Sequence, residues 1–152
     1  CLFRAVSPTL SGSTARGNAS VSGLLLGGNL TVMAAMAGTS FLPDVEGAIV
    51  LLEDIGERPY RLDRSLTQLL QAGHFDGAVG FAIGQLTGCS EPGEQDVEID
   101  ALGVVIDRLD TGNVPIVTGL LVGHENSSHP LIIGQEVSLD PVRGRLSEMP
   151  AS

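Results

Sequence analysis

The stretch that decides the fold is AIVLLEDIGERPYRLDR, residues 48–64. It opens with an unbroken apolar run from Ala48 to Leu52, which is typical of a strand buried on both faces of a sheet. Two carboxylates, Glu53 and Asp54, follow at the point where such a strand ends. In open α/β folds, ligands and chemistry collect at the carboxyl ends of strands. Glu53 is therefore the first candidate for a functional residue.

The composition indicates one globular domain and argues against several classes of function. The chain has 152 residues, of which 43% are hydrophobic and 20 are glycines, and this suits a compact, turn-rich α/β domain. A net charge of -10 and an aromatic content of 3% with no Trp argue against a nucleic-acid partner, because phosphates would be repelled and stacking surfaces are scarce. No apolar run is long enough to span a bilayer, and the N-terminus lacks a basic region followed by a hydrophobic one. We therefore predict a cytoplasmic address without a membrane partner.

The cysteines and the first residue add two further expectations. Cys1 and Cys89 have no second Cys or His at metal-ligand spacing, so we predict no metal site and no cofactor, and we interpret Cys89 as an unpaired thiol in a loop. The chain begins at Cys1 without Met, which leads us to expect a processed product or part of a longer protein.

Segments of alternating character along the chain predict an α/β domain. Residues 1–22 are rich in Ser, Thr, Gly and Ala and are interpreted as a linker or an arm from a missing N-terminal domain, with a short strand at 1–6. Residues 23–152 are assigned to the folded domain. Within it we predict helices at 30–38, 60–72 and 97–109, strands at 48–52, 77–86 and 114–122, and a hairpin of 132–139 and 143–149.

Two helix starts are candidates for substrate binding. Gly28 and Asn29 precede the first helix, where they predict either a backbone nest for a carboxylate or, as the favoured interpretation, an N-cap with close packing. Arg61 lies with Arg58 and Arg64 at the start of the second helix, where acids suit the dipole better than bases do. Such a cluster can bind a substrate carboxylate or a domain partner, whereas any single one of these bases is more simply explained as a solvated surface residue.

His124 directly follows a predicted buried strand, unlike the other two histidines. A general base needs an imidazole whose second nitrogen is held by a carboxylate. If the strands that end in Glu53 and His124 are neighbours in one sheet, their side chains form such a pair. A lone histidine of this kind is more often a cap or a satisfied hydrogen-bonding group. No serine in the chain has the context of a nucleophile elbow, so no convincing nucleophile is present.

Three stretches resemble the LD-carboxypeptidase family of serine peptidases, which includes muramoyltetrapeptide carboxypeptidases and microcin-immunity peptidases. They are GLLLGGNLTVMAAMAGTSFLPDVEG at 23–47, LLEDIGERPYRLDRSLTQLLQAGHFDG at 51–77 and VPIVTGLLVGHENSSHPLIIG at 114–134. They run in the order found in the family and cover most of residues 23–140. The resemblance is confined to the C-terminal half of the family's proteins.

The resemblance implies a small swivelling-type β/β/α domain with a mixed sheet, and a Ser-Glu-His catalytic set. By motif, Glu53 and His124 correspond to the family's Glu and His, and the serine lies on the absent N-terminal domain. Glu57 is the second candidate for the acid, although we expect it to cap the following helix. Family members remove the terminal D-alanine of murein tetrapeptides in cell-wall recycling and tend to dimerise. The implied partners are a murein peptide, the N-terminal domain and a second copy, with no metal or cofactor required.

The chain departs from the family pattern beside the histidine. Glu125, Ser128 and Ile132 stand where the family commonly has Gly, Asn and Pro, and a carboxylate next to His124 can repel an anionic substrate. One alternative is a microcin-immunity peptidase, which the absence of Trp weakly opposes. Another is a non-catalytic interaction domain of the same fold, which the intact Glu53 and His124 oppose. Because the chain lacks a nucleophile, we expect residues 1–152 alone to have no peptidase activity.

Overall fold

The computed structural model describes residues 9–91, 100–110 and 114–149. Strands and helices alternate through these residues. The strands are β1 (Leu10–Ser11), β2 (Thr14–Arg16), β3 (Val21–Asn29), β4 (Ile49–Ile55), β5 (Gly80–Thr87), β6 (Ile116–Thr118), β7 (Glu136–Asp140) and β8 (Arg145–Glu148), and the helices are α1 (Leu30–Met36), α2 (Pro59–Gln71) and α3 (Ala101–Leu109).

The strands form one mixed sheet in the order β1-β8-β7-β3-β4-β5-β6-β2. Strands β3 to β6 are parallel neighbours, and the remaining pairs are antiparallel. The described helices follow β3, β4 and β5 in the chain, as expected of parallel strands, which need crossover connections. This architecture confirms the predicted α/β domain with a mixed sheet, and the hairpin predicted near the C-terminus is present as β7 and β8.

Residues 10–16, which we call the strap, join the two edges of the sheet. β1 pairs with β8 and β2 pairs with β6. Between them, the Gly12 N–H donates to the Gly144 carbonyl at 2.6 Å and the Ser13 N–H donates to the Thr118 carbonyl at 2.9 Å. The sheet therefore curls until its edges meet at one segment of chain.

The strap corrects the prediction that residues 1–22 are a linker or arm. Within the described part of that range, β1, β2 and the start of β3 belong to the sheet. Strands of two and three residues are too short to show an alternating pattern, so their small polar residues resembled a linker. The strand predicted at 1–6 lies outside the described residues, and a preceding domain stays a prediction.

The curled sheet separates two apolar cores. Alternate residues of β4 face opposite ways, so that Val50 and Leu52 lie in the core beneath the helices, whereas Ile49 and Leu51 lie in the core inside the curl. The leucines of α2 recur at helical spacing and pack into the core beneath the helices, where Leu62, Leu66 and Leu69 are fully buried. This burial explains why α2 forms where the sequence predicted a helix.

Two element boundaries differ from the predictions for identifiable reasons. β4 continues to Ile55, three residues beyond the predicted end, because Glu53 and Asp54 find partners inside the fold. β6 has only three residues because Gly119, at φ +72°, turns the chain away from the sheet. The described part of the third helix begins at Ala101, and residues 97–99 of that prediction lie outside the described residues.

Candidate active site

The two carboxylates of β4 face opposite sides of the sheet. Glu53 continues the inward-facing row of Leu51, and Asp54 continues the helix-facing row of Leu52. Their exposed fractions are 7% and 1%. A buried carboxylate is costly unless it is hydrogen-bonded, so each requires its own partners.

Glu53 is paired with His124. Its Oε2 atom lies 2.8 Å from the Nδ1 atom of His124. The carboxylate is buried, whereas 47% of the histidine side chain is exposed. Because an ionised carboxylate only accepts hydrogen bonds, this contact assigns the proton of the neutral imidazole to Nδ1. The Nε2 atom is then the nitrogen that can accept a proton.

The contact between Glu53 and His124 is made across β5. The two strands are not neighbours, which was the condition set for the pair, because β5 lies between β4 and β6. The chain beyond β6 instead follows β5, where the Gln85 N–H donates to the Val122 carbonyl at 2.7 Å. A β-carbon on Gly84 would lie 2.4 Å from that carbonyl oxygen and 3.2 Å from Cβ of Glu53. The missing side chain of Gly84 thus allows the histidine loop to approach the carboxylate.

Asp54 anchors the start of α1, a role that was not predicted from the sequence. Its carboxylate accepts hydrogen bonds from the Asn29 amide at 3.0 Å, from the Thr31 N–H at 3.0 Å and from the Thr31 hydroxyl at 2.8 Å. The Ile55 N–H donates to it at 2.8 Å. Asp54 therefore fixes the position of α1 against β4. The alternation of side chains along β4 could have predicted this separate role, because it directs neighbouring carboxylates to opposite faces of the sheet.

The residues predicted to bind substrate lie in different environments. Asn29 is the N-cap of α1, as predicted, with its side chain accepting from the Val32 N–H at 3.0 Å. A β-carbon on Gly28 would meet nothing within 4 Å, so its backbone faces open space. Arg61 is exposed and contacts Glu57 at 3.4 Å and the Tyr60 hydroxyl at 3.2 Å. A substrate-binding role for Gly28, Asn29 and Arg61 stays a prediction.

Glu57, the second candidate for the acid, does not cap α2. The N-cap position belongs to Arg58, which makes no side-chain capping bond, and Glu57 forms an exposed ion pair with Arg61 instead. Of the other histidines, His74 accepts from the Gly38 N–H at 3.4 Å near the end of α1, and His129 is exposed. Neither forms a hydrogen bond or ion pair with Glu53 in the described part of the chain, so His124 is its observed imidazole partner.

The edge of the site carries two further polar contacts that the sequence analysis did not anticipate. Gln85 contacts Ser127 and Ser128 in the histidine loop through its side-chain amide. The Thr87 hydroxyl donates to Glu125 at 3.4 Å. Both contacts arise because the loop folds back along the end of β5, which no local pattern reveals.

Other chemistry-bearing features lie apart from this site. Among residues 9–91, 100–110 and 114–149, no group of three or more His, Cys, Asp or Glu is arranged to hold a metal ion. Cys89 is a free, buried thiol, and its burial raises its pKa. A cavity of about 160 Å³ opens beside Arg16 and Pro115, at the opposite ends of the parallel strands.

The Glu53–His124 arrangement is suited to proton transfer. A buried carboxylate orients the imidazole through Nδ1 and favours the imidazolium that forms when Nε2 takes a proton. The exposed side of the ring leaves room for a reacting group. Within the described residues, no hydroxyl or thiol is hydrogen-bonded to this imidazole.

A model of the LD-carboxypeptidase C-terminal domain matches residues 22–139. The chain belongs to the LD-carboxypeptidase family. This domain is 38% identical over 128 residues to a protein of Synechocystis named as a carboxypeptidase, with 82% of this chain and 41% of that protein covered. It is 47% identical over 70 residues to the murein tetrapeptide carboxypeptidase of Pseudomonas aeruginosa, with 45% of this chain and 23% of that protein covered.

Solved structures agree with the LD-carboxypeptidase assignment. The muramoyltetrapeptide carboxypeptidase of Oxalobacter formigenes matches with a TM-score of 0.78 and 30% identity, over 97% of this chain and 53% of that chain. The microcin C7 self-immunity protein MccF shares the fold, with a TM-score of 0.73 and 20% identity, over 91% of this chain and 41% of that chain. The LD-carboxypeptidase domain described here thus spans about half of the Oxalobacter chain. None of its described helices is both long and apolar enough to cross a membrane.

Proposed function

We propose that this chain supplies the acid and the base of a Ser-Glu-His serine carboxypeptidase that removes the terminal D-alanine from murein tetrapeptides. The observation that carries the proposal is the 2.8 Å contact between the buried Oε2 of Glu53 and Nδ1 of the half-exposed His124. A structural ion pair has no need for an exposed imidazole on an irregular loop. A general base requires one, because its Nε2 atom must reach the substrate and the nucleophile.

The mechanism follows from the orientation of the imidazole. Nε2 of His124 removes the proton from a serine hydroxyl as the oxygen attacks the scissile carbonyl carbon. Glu53 keeps the proton on Nδ1 and stabilises the imidazolium, which then protonates the departing amine of D-alanine. Water then attacks the resulting acyl-enzyme while His124 takes its proton, and this step regenerates the serine. Backbone amides of the other domain are proposed to form the oxyanion hole.

The substrate and the partners are inferred from the family. Relatives with names that specify a substrate include a murein tetrapeptide carboxypeptidase and a muramoyltetrapeptide carboxypeptidase. Because this chain spans 41% of the Synechocystis relative and 53% of the Oxalobacter chain, we propose that an N-terminal domain brings the serine. We further propose a cytoplasmic location and a dimeric assembly. The resemblance to MccF, at 20% identity, supports the shared fold and leaves murein peptide as the proposed substrate.

The test is the release of D-alanine from a murein tetrapeptide by the polypeptide that joins this chain to the serine-bearing domain. We expect Glu53→Ala and His124→Ala each to lower kcat/KM by at least about a hundredfold, as removal of a general base or its orienting carboxylate does. Residues 1–152 alone are expected to release no D-alanine.

The chain offers a matched control for each variant. Glu57→Ala removes the other candidate acid, and His129→Ala removes an exposed histidine of the same loop. Both are expected to stay within about threefold of the parent in kcat/KM, since neither touches the Glu53–His124 pair. Full activity of Glu53→Ala with loss in Glu57→Ala would reject the assignment. Cleavage of a peptidyl-nucleotide but not of the murein peptide would reject the substrate.

A further inference from the structure

Gln85 connects the end of β5 to the loop that carries His124. Its Oε1 atom accepts a hydrogen bond from the Ser128 hydroxyl at 2.6 Å, and its Nε2 atom donates to the Ser127 hydroxyl at 3.4 Å. Because a serine hydroxyl can both donate and accept, either orientation of the amide keeps a hydrogen bond to each serine. One half-buried side chain thus holds two consecutive residues of an irregular loop.

An irregularity in the sheet places Gln85 where it can act in this way. The pairing of β4 with β5 shifts between Leu52 and Asp54, so that Gly84 and Gln85 both lie opposite Glu53. The main chain of Gln85 also contacts the loop, through its hydrogen bond to Val122. Such bulges are common beside active sites, where they redirect a side chain.

The Gln85 side chain lies directly against the residue that precedes His124. A β-carbon on Gly123, which has φ +147°, would lie 3.0 Å from Cβ of Gln85, 3.2 Å from its Oε1 and 3.4 Å from Oε2 of Glu53. Gln85 and Glu53 therefore form adjacent parts of the surface on which the loop rests. Movement of Gln85 would change the path of the backbone immediately before the imidazole.

We propose that Gln85 is a positioning residue that holds His124 against Glu53. The imidazole is half-exposed and lies in a segment without regular structure, so the ion-pair contact alone leaves the loop free to move. Site geometry must be held to within about 0.5 Å, which requires a supporting shell of hydrogen bonds. Gln85 supplies that shell by clamping the loop at Ser127 and Ser128. The catalytic consequence rests on the proposed function, whereas the effect on the imidazole does not.

A second tie between the loop and β5 is weaker. The Thr87 hydroxyl meets the exposed Glu125 side chain at 3.4 Å, and the Ser128 N–H closes a turn onto the Glu125 carbonyl at 3.0 Å. That turn gives the loop its local shape but does not attach it to the sheet. The main-chain bond between Gln85 and Val122 holds the loop before His124, and the short bond from Ser128 to Gln85 attaches it after His124, so loss of the Ser128 bond should release that second part.

The imidazole of His124 reports the clamp directly in nuclear magnetic resonance spectra of the 152-residue chain. In the parent we expect the Nδ1–H tautomer with a proton protected from exchange. Gln85→Met keeps the side-chain length but removes both hydrogen bonds, and we expect a mixture of tautomers with the Nδ1 proton exchanging about tenfold faster or more. Ser128→Ala removes only the 2.6 Å bond and should move the same signals in the same direction.

Gln68→Met is the matched control, because Gln68 donates to the Ala34 carbonyl between α2 and α1. It loses a hydrogen bond by the same substitution but should leave the His124 signals unchanged. Parent-like tautomer and exchange in folded Gln85→Met, or in Ser128→Ala if Gln85→Met does not fold, would overturn the proposal. So would an equal change in Gln68→Met.

Activity separates this inference from the proposed function. In the polypeptide with the serine-bearing domain, Gln85→Met should lower kcat by about tenfold to a hundredfold with KM within about threefold, since misplacement of a base weakens the chemical step. If the Nδ1 proton of His124 exchanges faster in Gln85→Met but His124→Ala is fully active, the positioning inference stands and the proposed function fails. If His124→Ala is inactive but Gln85→Met has parent kcat, the positioning inference fails alone.

Discussion

Glu53 and Asp54 are adjacent in sequence and serve different parts of the molecule. Alternation along β4 directs Glu53 into the curl of the sheet toward His124, and Asp54 outward to the start of α1. Among the described residues, Asp54 accepts four hydrogen bonds, including those from Thr31 and Asn29. Two neighbouring carboxylates therefore lie in different environments, where Asp54 anchors α1 and Glu53 has the proposed catalytic role.

We predict that Asp54→Ala lowers the free energy of unfolding by about 2–4 kcal/mol, because partly buried donors lose their acceptor and α1 loses its anchor. Urea unfolding of the chain measures the change. Asp44→Ala is the control, since Asp44 is exposed and its hydrogen bond within the described residues is a local turn bond from the Glu46 N–H. A loss in Asp54→Ala no larger than in Asp44→Ala would contradict the prediction.

At the scale of elements, the hairpin of β7 and β8 depends on a carboxylate at its turn. The Arg143 N–H donates to Asp140 at 3.0 Å, and the Arg143 guanidinium contacts the same carboxylate at 2.9 Å. The backbone N–H first, and then the guanidinium, lower the pKa of Asp140 below its ordinary value. The ionised form is therefore the one that the folded hairpin favours.

The sign of this shift predicts a pH dependence. Because the pKa of Asp140 is lower in the folded chain, its stabilisation is present above the unfolded pKa and is lost as the pH falls through the folded pKa. Asp140→Asn imitates the protonated form, so it should lower the urea midpoint at neutral pH and match the parent at acid pH. Arg143→Gln keeps the backbone bond and should have a smaller effect. A gap between parent and Asp140→Asn that does not narrow in acid would reject the prediction.

At the scale of the whole molecule, the strap decides whether the sheet is open or closed. Gly12 lies at its centre, where a β-carbon would be 2.2 Å from the Thr118 carbonyl oxygen and 2.9 Å from Cγ1 of Val117. The strap therefore approaches β6 through a residue without a side chain. Closure of the core inside the curl of the sheet depends on this crossing.

We predict that Gly12→Ala destabilises the chain by about 1–3 kcal/mol, since the added methyl group cannot be placed without moving the strap. Hydrogen exchange should accelerate most in β6 and β8, the strands that the strap pairs with. Gly103→Ala, in α3, is the control with the opposite expectation, because alanine favours a helix over glycine by about 1 kcal/mol and has room there. Equal stability of Gly12→Ala and the parent would show that the crossing tolerates a side chain.

Much of the fold was predictable because it depends on local patterns. The apolar run of β4, the leucine spacing of α2 and the Asn29 cap are each contained within a few residues, and all three are present in the structure. Glu53 and His124 were predicted from strand ends and family motifs. The strap, the role of Asp54 and the contacts of Gln85 were not, since each depends on a partner distant in sequence.

The sequence by itself determined the α/β class, the order of most elements and the two residues of the candidate site. Only the tertiary structure decided how those residues meet, because Glu53 and His124 are separated by 71 positions and by an intervening strand. Their contact exists because Gly84 leaves space, β5 bulges and the loop follows its end. Burial patterns are encoded within each element, whereas distances between side chains arise only when the elements pack.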